Sequence, residues 1–214
     1  MSVTEEEMLD NDYYNLSDSE IEVLFIVDDT PTLRTRLQKI ALLYSKVYHG
    51  DENSHGAYLF GGFSDEIDES SDSLVSKGII QETSRGYVIT YYGKKLKELF
   101  VKGLEESDDL IKGIPNIKRS VSKLPDKSIV GLTYHFFKET AENSTIKNAV
   151  ERYNRNSIYD GKRLDEISLD EFVSKLKEGK VICRSGRSWR KNTKCQECTP
   201  FQTRTAHRSS GTSP

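Results

Sequence analysis

Cysteine is scarce in this chain: three among 214 residues, all of them beyond position 182. That excludes the disulfide framework of a small secreted domain. Long hydrophobic runs are missing too. Spanning a bilayer takes about 18 apolar residues, and the longest strongly apolar piece near the start is VLFIV at 23–27. The first 20 residues hold no Lys or Arg, so the basic n-region of a secretory signal is lacking. A cytoplasmic protein with no membrane partner is expected. Catalytic signatures are lacking as well: no G-x-S-x-G, H-E-x-x-H or phosphate loop occurs. His49 and His55 flank Asp51 and Glu52 in what reads as a polar turn, and His135 sits between Tyr134 and Phe136 on a helix. No catalytic residue, cofactor or enzymatic activity is expected from these.

What is present is charge, unevenly spread. Hydrophobic residues make up 35% and charged residues 30%, so part of the chain is expected to be loose. The first 180 residues carry 24 basic and 33 acidic residues, a formal −9. The last 34 carry seven basic residues and one acid, Glu197, a formal +6. The two parts call for separate readings. Residues 1–17 read as an acidic, flexible N-terminus, 18–110 as one folded module, 111–124 as a Gly-, Pro- and Ser-containing connector and 125–180 as a helical extension. Residues 181–214 read as a basic, disordered tail whose shift in composition also fits a non-native extension.

Inside the module the punctuation is legible. Ser17 or Asp18 caps a short helix through Ile21, Leu24, Phe25 and Val27. Thr30 and Pro31 suit the N-cap and first position of the next helix. That helix, 33–48, places Leu33, Leu37, Ile40, Ala41, Tyr44 and Val47 on one face, with Arg36, Lys39 and Lys46 opposite. A short strand is expected at 57–60 and a break at Gly61-Gly62. Ser64 caps an acidic helix, 64–77, that ends at Gly78. Two strands, 79–81 and 87–90, flank the turn Thr83-Ser84-Arg85-Gly86, and Thr90 caps the following helix. In the extension, Ser168 and Glu171 form a capping box, with Ile167 and Phe172 as its hydrophobic staple.

Helix, Gly break, two-stranded ribbon, helix: this order suggests a winged helix-turn-helix, mainly α with a small β-wing, followed by a C-terminal helical extension. TRLQKIALL (35–43), YLFGGFSDEI (58–67), LVSKGII (74–80) and YVITYYGKKL (87–96) occur in an order that resembles the YwgA-like and Panacea (SocA-antitoxin-like) winged-helix families. The resemblance covers about 30–100. It departs at Gly62, where those families usually have Pro, so a looser bend into the acidic helix is expected. It implies a winged-helix scaffold without catalytic chemistry, used by antitoxin-like proteins to neutralise toxins or deliver them to proteases.

Two functions from different classes follow. A recognition helix offers Arg, Lys, Asn or Gln to bases and phosphates. Here that helix carries Asp65, Glu66, Asp68, Glu69 and Asp72, which repel phosphate. These acids suit either solvent or a basic, toxin-like protein partner. The leading expectation is therefore a non-enzymatic regulatory module, an antitoxin-like interaction adaptor; a homodimer is compatible with it. The alternative is a DNA-binding transcriptional regulator that contacts phosphates through Arg34, Arg36, Lys39, Lys46, Arg85, Lys94 and Lys95. Such contacts position a protein without reading sequence. In the tail, Trp189 among basic residues could stack on a nucleic-acid base. No metal is expected, although Cys183, Cys195, Cys198 and His207 are arithmetically a Cys3His zinc set; the Cys198–His207 spacing matches no familiar finger.

Overall fold

The computed structural model describes residues 4–50, 55–58, 61–104, 108–155 and 157–186. The fold is mainly helical, with three small antiparallel sheets among the described residues. In chain order it runs α1 (Glu5–Asn15), α2 (Asp18–Ile26), α3 (Arg34–Tyr44) with a π-helical turn at Ser45–His49, β1 (Gly56–Tyr58), β2 (Gly61–Phe63), α4 (Asp65–Ser76), β3 (Ile80–Thr83), β4 (Gly86–Ile89) and α5 (Tyr91–Gly103). There follow α6 (Asp109–Val121), α7 (Asp126–Phe136), α8 (Lys147–Asn154), β5 (Ser157–Tyr159), β6 (Lys162–Arg163), α9 (Leu169–Lys177) and β7 (Arg184–Gly186).

Side-chain caps start most of these helices where the sequence supplies them. Ser17, Ser64, Thr90 and Ser168 each accept from a backbone N–H of the first turn. Glu171 does not close the capping box expected at Ser168, because its carboxylate is taken by Lys162 and Lys175. The β3–β4 hairpin turns at Ser84-Arg85, with Thr83 opposite Gly86 and Ile80 opposite Ile89. Gly86 has φ +115°, and a Cβ there would lie 2.3 Å from the Thr32 carbonyl oxygen. That close approach lets Thr32 and Tyr87 exchange two backbone hydrogen bonds, 2.9 and 3.0 Å. It also explains why α3 begins at Arg34 and not at Thr30-Pro31: the preceding residues are held against β4.

The acidic start is not a frayed tail. Thr4 and Glu7 form a capping box for α1, and Leu9 is buried in the core. Tyr13 packs on Phe100 at 4.6 Å between ring centroids, and Tyr92 donates its hydroxyl proton to Asp12 at 2.7 Å. Gly61-Gly62 is not a break either; both belong to β2, which pairs with β1. The largest difference concerns the supposed connector. Residues 109–121 form α6, whose Ile114, Ile117 and Val121 are wholly buried against α2, α3 and α9. Gly113 is what brings α6 this close, since a Cβ there would meet the Tyr48 ring at 2.8 Å. Part of the supposed tail is structured too: Ile182 is buried, its N–H donates to the Ser120 carbonyl, and β7 pairs with β5. One hydrophobic core therefore runs from Leu9 to Ile182, and the extension shares it with the module. Among the described residues, no helix is long and apolar enough to cross a membrane.

Candidate interaction surface

The acidic helix α4 lies on α2, with Ile67, Ser70, Ser71 and Leu74 buried beneath it. Its buried positions follow helical spacing, so the acids between them face outward. Asp65, Glu66, Glu69 and Asp72 are exposed. Glu66 accepts from Ser19 and Asp68 pairs with Arg34, while Asp65, Glu69 and Asp72 have no ion pair among the described residues. The helix is pinned from the other end: Lys77 and Ser73 reach Glu20 of α2 at 2.5 and 2.6 Å.

The cations named as phosphate contacts are placed quite differently. Residues 37–44 of α3 are buried on every side, so the helix has no free basic face. Arg36 gives hydrogen bonds to the Val121 and Leu124 carbonyls at 2.9 and 3.2 Å and pairs with Asp126 at 2.8 Å. Lys39 is 2% exposed and donates to the Gly62 carbonyl at 2.6 Å; burial pushes its pKa down to about 8. Lys46 is paired with Glu139 at 3.0 Å. Arg34, Lys94 and Lys95 pair with Asp68, Asp29 and Glu5. Of that set only Arg85, at the hairpin turn, has no ion pair among the described residues. Six of the seven cations are thus unavailable to phosphate without breaking a contact within the fold.

Of the zinc candidates, Cys195, Cys198 and His207 lie outside the described residues, as does Trp189. Cys183 lies just before β7, and its backbone N–H donates to Asp160 at 2.8 Å. His55 is buried beside Lys39 and Lys46. Burial first, then those two charges, push its pKa down to about 4, so it is neutral at pH 7. Burial also lowers the His135 pKa.

Several functional-looking groups escaped the sequence reading. Lys97 and Lys118, from α5 and α6, converge on the end of α2. Both donate to the Phe25 carbonyl at 3.1 Å, Lys97 also to that of Val27, and both approach Asp28. They cap the negative end of the α2 dipole. Glu22, also on α2, holds its Oε1 buried with no hydrogen-bond partner among the described residues, near Glu66 of α4. Burial first, and Glu66 second, push its pKa from about 4.5 up to about 8.

The folded protein therefore keeps a proton on Glu22 that the unfolded chain releases. Stability attributable to this group falls as pH rises from about 4.5 to about 8, with a slope approaching about 1.4 kcal/mol per pH unit. Glu22→Gln is expected to flatten that fall and to stabilise the protein at pH 8. Urea midpoints of both proteins across this range test it; parallel pH profiles would contradict it.

No known family matches the chain, nor does any curated protein or solved structure. Its own geometry carries the functional reading.

Proposed function

We propose that residues 18–103 form a winged helix-turn-helix scaffold of the YwgA-like or Panacea kind, with α4 in the place of the recognition helix and β3–β4 as the wing. In this reading the protein is a non-enzymatic, antitoxin-like interaction module whose α4 surface docks a basic protein partner. The observation that supports it is the division of charge. The cations of α3 are committed to partners within the chain, Arg34 to Asp68 at the surface, whereas Asp65, Glu69 and Asp72 stand exposed on α4 with no ion pair among the described residues. Phosphate would meet this surface with repulsion and without the counterion release that drives nucleic-acid binding. A Lys- or Arg-rich segment would meet complementary potential, which mainly speeds encounter and fixes orientation.

The test uses the full chain. Fluorescence anisotropy with duplex DNA at low and moderate salt is expected to show no binding. A labelled Lys/Arg-rich helical peptide is expected to bind, and Asp65→Lys with Glu69→Lys and Asp72→Lys is expected to weaken it at least tenfold. These positions are exposed, so the triple variant keeps the fold, which circular dichroism checks. Salt-sensitive duplex binding by the chain would favour the DNA-binding alternative, with Arg85 as its first suspect. A shortened chain for this comparison has to end after residue 186, because Ile182 and β7 belong to the core.

A further inference from the structure

A second site lies in the helical extension. A cavity of about 360 Å³ opens between α7, α8 and the turn at Leu164–Glu166. That is near the lower limit of small-molecule sites.

Four cations line it from three parts of the chain: Lys138 just after α7, Lys147 at the start of α8 with Arg155 just past its end, and Arg163 on β6. Lys147, Glu151 and Arg155 follow one another at four-residue spacing, the geometry of helical ion pairs. Yet Glu151 pairs with neither neighbour, and Lys138 has no ion pair among the described residues either. Arg163 pairs with Asp165 at 3.2 Å, but both side chains are mostly exposed, and such pairs contribute little. Against the four cations stand two carboxylates, Glu151 and Asp165, so the lining carries a net +2 at neutral pH.

The floor adds a second, independent observation. Asn154 is 5% exposed, and its Oδ1 accepts the Tyr159 hydroxyl at 3.0 Å. That fixes the amide so that Nδ2 is left as a donor at the cavity, without an acceptor among the described residues. A Cβ at Gly131 would lie 1.7 Å from this nitrogen; only glycine makes room for it. The amide nitrogen therefore opens on the cavity as a donor that a ligand or water can accept from. Val150 and Leu164 supply apolar wall beside it.

We propose that this cavity binds a small organic phosphate of about nucleoside-monophosphate size. A carboxylate has two oxygens in one plane and is satisfied by one guanidinium fork. Donors arriving from three parts of the chain suit a phosphate, whose oxygens point in several directions. The Asn154 amide then donates to the ligand, and Val150 and Leu164 cover its less polar body. This site is separate from the α4 surface and does not depend on what α4 docks.

Calorimetric titration of the full chain at low salt, with a nucleoside monophosphate, its parent nucleoside and inorganic phosphate, is the test. The monophosphate is expected to bind at least about tenfold more tightly than inorganic phosphate, and the nucleoside not to bind. Lys147→Gln with Arg155→Gln, two helix-compatible changes at the rim, is expected to lower the affinity at least about tenfold. Lys94→Gln with Lys95→Gln is expected to leave it unchanged. No heat with any phosphate, equal affinity for monophosphate and inorganic phosphate, or affinity untouched by the Lys147/Arg155 pair would each overturn the assignment.

Discussion

Gly93→Ala is expected to lower stability by about 4 kcal/mol. A Cβ at position 93 would lie 2.1 Å from the Ile79 carbonyl oxygen, and backbone, unlike a side-chain tip, cannot swing away. The neighbourhood is tied down on every side. Thr90 Oγ1 accepts from the Gly93 N–H at 3.0 Å and lies within hydrogen-bond reach of the Gly78 and Ile79 carbonyls, at 2.8 and 2.9 Å. The Thr90 N–H donates to the same Ile79 carbonyl. The first turn of α5 is thereby stitched to the entry of β3, and a methyl group forces the two apart. In a chain of this size a loss of about 4 kcal/mol corresponds to roughly 8–16 °C in melting temperature. A thermal scan that finds Gly93→Ala within a few degrees of the parent would show that α5 and β3 are less rigidly joined. The pattern T-x-x-G, which carried part of the family resemblance, thus has a concrete task here: cap the helix and let it touch the hairpin.

Arg36→Glu is the second large effect, at about 3 kcal/mol. Arg36 binds the carbonyls of Val121 and Leu124 at the end of α6 and the carboxylate of Asp126 at the start of α7. It joins three helices through one guanidinium, and its five fixed donors suit that fork of acceptors. Reversal leaves two carbonyls without their donor and sets a second carboxylate against Asp126. Arg36→Lys is expected to recover less than half of the loss, since an ammonium cannot span the same three acceptors. Lys95→Glu, which merely breaks a surface pair with Glu5, is expected to cost far less than Arg36→Glu. Chemical unfolding of the three variants separates a structural arginine from a phosphate contact. Equal, small losses for Arg36→Glu and Lys95→Glu would return Arg36 to the surface.

The contrast at Arg36 shows where the sequence could be read and where it could not. Local signals survived folding. Ser17, Ser64, Thr90 and Ser168 cap the helices they precede, and the alternating residues around Ser84-Arg85 form a hairpin. These depend on bonds within a few residues, which neighbouring elements do not overrule. The burial of α3 was not visible, because a helical apolar stripe implies a free opposite side only when one surface covers the helix. Here α2, α6 and α7 all contact it, and Gln38 and Lys39 are buried with it. Leu42 and Leu43, next to the expected apolar face, were the available sign. Helix α6 was hidden by Gly113, Pro115 and its serines, which read as connector residues, although Ile114, Ile117 and Val121 keep helical spacing. Helix α1 announced itself only through Thr4 and Glu7, the spacing of a capping box. The anion cavity left no trace, since it assembles residues of α7, α8 and β6 that no local pattern links.

The central position of α6 also bears on how the chain is made. Its inward face is sealed by α2 and α3, which are translated before it, and by α9 and Ile182, translated some 50–70 residues after it. At about 5–20 residues per second, the ribosome takes several seconds to deliver those last pieces. During that interval Ile117 and Val121 stand on a nascent chain whose α2 and α3 can already collapse. The polypeptide completes its core only when residue 182 clears the exit tunnel. A stalled or prematurely ended message would therefore release a sticky half-globule and not a smaller working module, the kind of product that chaperones and proteases sort.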